Sequence, residues 1–68
     1  MKAYRYITGK DDDAFCHRVT KALNDGWLLY GNPTLTYDQA KGDVICGQAV
    51  TKEAPRTTYS PDLKLSEL

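Results

Sequence analysis

Apolar and polar positions divide the first fifty residues into four elements. Ala3 to Thr8 alternates, with Ala3, Arg5 and Ile7 on one face and Tyr4 and Tyr6 on the other. The run is rich in aromatic and β-branched residues and predicts a first strand ending at Gly9. Neither face is cleanly polar, so both are expected to be at least partly covered. Phe15, Val19, Ala22 and Leu23 then recur at i, i+4, i+7 and i+8, which predicts an amphipathic helix. Asp11 is the expected N-cap, with Asp12 and Asp13 in the first turn, where carboxylates meet free backbone N–H groups and the positive end of the helix dipole. Asn24-Asp25-Gly26 ends the helix, with Gly26 as its left-handed C′ residue.

Trp27-Leu28-Leu29-Tyr30 is large and apolar at every position, the pattern of a strand covered on both faces. Gly31-Asn32-Pro33 interrupts it as a bend or bulge, and Thr34 to Tyr37 resumes it. Asp38 to Asp43 is a polar hairpin loop, and Val44 to Thr51 is the third strand. Gly47 within it signals a bulge or a close backbone approach. These elements predict an α+β fold: a single small domain, β-α-β-β, whose three-stranded sheet carries one helix on one face. The pattern leaves the order of strand pairing open. Residues 1–52 form the expected compact domain. Residues 53–68 read as a polar linker and a short tail, with Ser60-Pro61 as a helix start and Leu63, Leu65 and Leu68 as an apolar patch, frayed or docked.

Size and charge narrow the function classes. With 68 residues and 7.6 kDa, the chain is near the lower limit for a self-sufficient core. Nine basic residues balance nine acidic ones, which argues against polymeric nucleic acid as a partner. No basic start leads into an apolar signal segment, and no window approaches the roughly 20 apolar residues of a membrane span. A cytoplasmic protein is expected, with no membrane partner. Two cysteines, Cys16 and Cys46, are too few for a disulfide scaffold and read as buried thiols. One helix covers only one sheet face, so the bulky residues on the other predict a partner, most simply a second copy.

Several residue sets resemble those of the bacterial and phage-associated family called domain of unknown function 1737. They are Tyr4 to Gly9, Asp12 to Val19, Ala22-Leu23, Gly26-Trp27, Leu29 to Leu35 and Ile45 to Val50. The resemblance spans about Tyr4 to Lys52 and implies a compact α+β fold. It implies no activity and supplies no catalytic residues.

Candidate chemistry is sparse. His17 is the only histidine; adjacent Cys16 points about 100° away on a helix, and only Cys46 on a strand could approach it. No enzyme activity is expected. Cys16, His17 and Cys46 lack the spacing of a zinc site, and Asp11-Asp12-Asp13 lacks the alternation of a calcium loop, so neither a metal nor a cofactor is expected. Gly31-Asn32-Pro33-Thr34 lacks phosphate-loop spacing. The remaining candidates are Tyr4, Arg5, Tyr6, Trp27 and Tyr30, able to stack on and neutralise a planar anion such as a nucleotide at a subunit junction. The expected function is a non-enzymatic homo-oligomer that binds and sequesters such a ligand. The alternative is a protein-interaction module using the tail and the uncovered sheet face.

Overall fold

The computed structural model describes Met1–Leu68 in full. Strand β1 spans Lys2–Lys10, helix α1 Asp13–Asn24, strand β2 Leu28–Asp38 and strand β3 Asp43–Glu53, and a 3-10 turn follows at Leu65–Glu67. The sheet order is β1-β3-β2, with β3 antiparallel to both neighbours. The fold is α+β in the order β-α-β-β, and the strands before and after the helix are parallel edges separated by the last strand.

Register assigns the faces. Ala3, Arg5 and Ile7 lie opposite Lys52, Val50 and Gln48, with Leu29 beside Val50 on the far edge. Helix α1 covers this face and packs mainly on β1. Ala3, Ile7, Ala22, Trp27 and Val50 make the buried core, flanked by Met1, Phe15, Val19, Leu65 and Leu68. Tyr4 and Tyr6 share the opposite, open face with Ala49 and Thr51 of β3 and with Leu28 and Tyr30 of β2.

The helix begins one residue later than its apolar period suggests. The Asp11 N–H is bonded to the Val44 carbonyl, and Asp12 is the N-cap, its carboxylate accepting from the Phe15 N–H at 3.2 Å. At the other end Gly26 has φ +98°. The Trp27 N–H returns to the Ala22 carbonyl and the Gly26 N–H to the Leu23 carbonyl, a Schellman closure whose apolar contact is Trp27 on Ala22. That closure removes Trp27 from the strand to which its sequence neighbours assign it. It is 1% exposed, beneath the sheet's helix face rather than within β2.

Strand β2 is not covered on both faces within one chain. It is an edge strand with every residue before Asp38 exposed, because β3 takes the sheet centre and α1 leans towards β1. The Gly31–Pro33 interruption is a bulge: between the pairs Tyr30↔Ala49 and Thr34↔Gly47, only Gln48 opposes those three residues. The buried Gln48 amide donates to the carbonyls of Tyr30, Gly31 and Ala49 and so braces the bulge.

Ser60-Pro61 does not start a helix. The Ser60 hydroxyl accepts from the Asp62 N–H in a turn, and nine residues are too few to sustain helix beyond the single 3-10 turn. The tail docks on the chain's own core through Leu65 and Leu68. The Met1 ammonium donates to the Ala54 carbonyl at 2.8 Å, tying the start of β1 to the segment after β3. No helix is long and apolar enough to cross a membrane.

Candidate functional site

The open face is built around small residues on the central strand. Gly47, Ala49 and Thr51 project there from β3, between tyrosines on both edges. Gly47 is the position that shapes it. A Cβ at residue 47 would lie 2.6 Å from Tyr6 Cζ and 2.7 Å from Thr34 Oγ1, both overlaps. The missing side chain lets the Tyr6 ring lean diagonally across β3, and its hydroxyl bonds that of Thr34 on the far edge. Ala49 is buried, while Thr51 stays partly exposed between Tyr4 on one side and Tyr30 on the other. The resulting trough has a volume of about 460 Å³ and is lined by Lys2, Ala3, Tyr4, Tyr30 and Thr51. Tyr4 is 53% and Tyr30 61% exposed, so both rings are open to solvent.

The five sequence candidates therefore separate. Tyr4, Tyr6 and Tyr30 share the open face, while Arg5 and Trp27 lie together on the helix face. The grouping of Arg5 with Tyr4 and Tyr6 is corrected by the alternation of β1 itself, which sends Arg5 through the sheet. Its guanidinium stacks over the Trp27 ring, 5.2 Å from the centroid, and Lys52 Nζ lies 5.9 Å from the same centroid. Trp27, buried under these cations, is a packing residue and offers no face to a ligand. Lys52 also donates to the Asp25 carbonyl at 2.7 Å and to the Leu68 main-chain oxygen, joining the helix end to the tail.

The reactive side chains do not converge. His17 is on the outer side of α1, its Nε2 3.0 Å from Asp13 Oδ2. Cys16 is exposed rather than buried, at a shallow apolar groove with Val19, Leu23 and Leu29. Cys46 is buried, as expected, and burial pushes its thiol pKa up; the Asp11 carboxylate beside it acts in the same direction. The nucleophilic thiolate is disfavoured there. The three aspartates divide their roles: Asp11 faces Cys46, Asp12 caps the helix and Asp13 holds His17.

Two groupings were not legible in the sequence. Over Gly47, Tyr6 and Thr34 join β1 to β2 across the whole open face, with the mid-strand glycine as the one signal. Arg18 and Lys21 join Arg5 at the α1–β1 edge, and their i,i+3 spacing on the helix is the trace they leave in the sequence.

A small split β-α-β sheet with an uncovered aromatic face is the class these features define. The chain belongs to the family described as domain of unknown function 1737, whose model matches residues 1–53. No curated protein and no solved structure matches it.

Proposed function

We propose that the protein is a non-enzymatic homo-oligomeric module that takes up a planar, nucleotide-type small molecule on its open sheet face, between subunits. The observation that carries this reading is the trough of about 460 Å³ over Thr51, walled by Tyr4 and Tyr30. Its size falls within the roughly 300–1,000 Å³ of small-molecule sites. Tyrosine faces stack on planar rings, at about 1–3 kcal/mol per nucleobase. Assembly is supported by the sparse core: only nine of 68 residues are buried, while Tyr4, Leu28, Leu29, Tyr30, Leu35 and Tyr37 are each more than half exposed. Tyr4, Leu28 and Tyr30 are on the open face, and Leu29, Leu35 and Tyr37 on the helix side of edge strand β2. A second copy packed on the open face and around that edge would add the burial that so short a chain lacks.

The test is calorimetric titration with linear and cyclic nucleotides, alongside light scattering at micromolar concentration. The expected result is a multiple of the 7.6 kDa chain mass and saturable heat, lost at least tenfold in Tyr4→Ala and Tyr30→Ala. A monomer that gives no heat with any member refutes the reading. Conversion of a bound ligand would overturn its non-enzymatic part. A protein-interaction module is the second reading. It keeps the open face but loses the tail as a free arm, since Leu65 and Leu68 already pack on the core.

A further inference from the structure

A second cavity lies on the opposite face of the sheet, between β1, the last turns of α1 and the docked tail. Its volume is about 220 Å³, and it is lined by Arg5, Arg18, Lys21, Ala22, Asp25 and Ser66. Three cationic side chains meet one carboxylate there. Only Lys21 is paired, with Nζ 2.8 Å from Asp25 Oδ2. Arg18 uses a single N–H, donated from Nη1 to the Thr8 carbonyl at 2.6 Å, and has no carboxylate partner. Arg5 has neither a hydrogen bond nor an ion pair; its half-buried guanidinium is held only by stacking on Trp27. A guanidinium presents five N–H donors. Two arginines fixed at one cavity, with most donors uncommitted, form an arrangement suited to bidentate recognition of an oxyanion. Ser66 adds a hydroxyl from the tail.

We propose that this cavity binds a phosphoryl group, with Arg5 and Arg18 as the principal ligands, Lys21 as a second-rank cation and Ser66 closing the site from the tail. The volume admits a phosphate or a phosphomonoester head, and the excess of cations over carboxylates matches a dianion. Asp25 is the resident counter-charge, which an incoming phosphate displaces from Lys21. The site is separate from the tyrosine trough, so neither requires the other.

The test is an NMR titration of the full chain at constant ionic strength near pH 7 with inorganic phosphate, adenosine and adenosine monophosphate in separate arms. Phosphate is expected to shift the Arg5 and Arg18 side-chain N–H signals and the Lys21, Asp25 and Ser66 amides saturably. Arg18→Gln, an exposed helix position, is expected to weaken binding at least tenfold. Asp25→Asn is expected to strengthen it several-fold by removing the competing carboxylate. Arg5→Lys keeps a cation over Trp27 but loses the planar fork, and weakens binding without loss of fold. Phosphate shifts that are linear, scattered over the surface, or unchanged in Arg18→Gln overturn the proposal. Adenosine reports the trough through the ring signals of Tyr4 and Tyr30, so failure of that arm bears on the proposed function and failure of the phosphate arm on this site.

Discussion

Replacing Gly26 probes the joint between helix and sheet. The residue sits at φ +98°, past the usual left-handed well and in a region L side chains rarely adopt. Space is not the obstacle. A Cβ there would meet only Lys52 Cε at 3.4 Å, at the edge of ordinary contact, with Nζ further off at 3.8 Å. The penalty is therefore one of backbone conformation, about 1–3 kcal/mol for a non-glycine residue held in a sparsely populated region. Relaxation of φ would move the Trp27 N–H away from the Ala22 carbonyl and shift the largest core side chain. Global stability for 68 residues is on the order of 3–10 kcal/mol, from about 0.05–0.15 kcal/mol per residue. Gly26→Ala and Gly26→Val should thus each remove a large fraction of it. Each kcal/mol lowers Tm by roughly 4–8 °C for a domain of this size. Thermal unfolding followed by tryptophan fluorescence reads the change directly, since Trp27 is the only tryptophan. Both variants are compared at one protein concentration, because the proposed assembly would make Tm concentration-dependent. An unchanged Tm in Gly26→Ala would show that the positive φ carries no such cost. A loss confined to Gly26→Val would locate the cost in side-chain crowding instead.

Gly47→Ala should destabilise by about 1–3 kcal/mol through overlap with the Tyr6 ring and Thr34, and chemical denaturation that gives an unchanged midpoint would contradict it. Asp25 has its carboxyl pKa lowered from 3.8, first by the hydrogen bond from Lys21 and then by the Lys21 charge; desolvation opposes these, and the charges of Lys52 and Arg5 add smaller lowering effects. A carboxyl depressed in the folded state contributes stability above its unfolded pKa and loses it as pH falls through the folded value. Asp25→Asn should flatten the loss of stability below about pH 3.8 relative to wild type, and identical pH–stability curves would count against the pair. Cys16 should alkylate with iodoacetamide well before Cys46, and peptide mapping that finds equal rates would contradict the assigned burial.

Local features of the fold were legible along the chain. The β1 alternation, the helix period, Gly26 as terminator and the Gly31–Pro33 bulge each follow from a few neighbouring residues. The features that escaped depend on distant pairing. Nothing near Val44–Val50 signals that β3 belongs in the sheet centre, and that placement leaves β2 as an exposed edge. Trp27 reads as strand because Leu28 to Tyr30 follow it, yet the helix closure two residues earlier turns it into the core. The candidate site was legible as a set of residue types and not as a grouping. Tyr4 and Tyr6 were placed together by period 2, and the same period separates Arg5 from them. The partners of Arg5, namely Arg18, Lys21 and Ser66, come from the helix and from a tail whose docking no local pattern announces.

Native mass spectrometry of the protein isolated from cells addresses assembly and ligand together. A discrete species at a multiple of the 7.6 kDa chain mass is expected, carrying added mass that is released on denaturation and identifies as a nucleotide-type compound. A species at the mass of a single chain, bare both as isolated and after incubation with nucleotides, would contradict it.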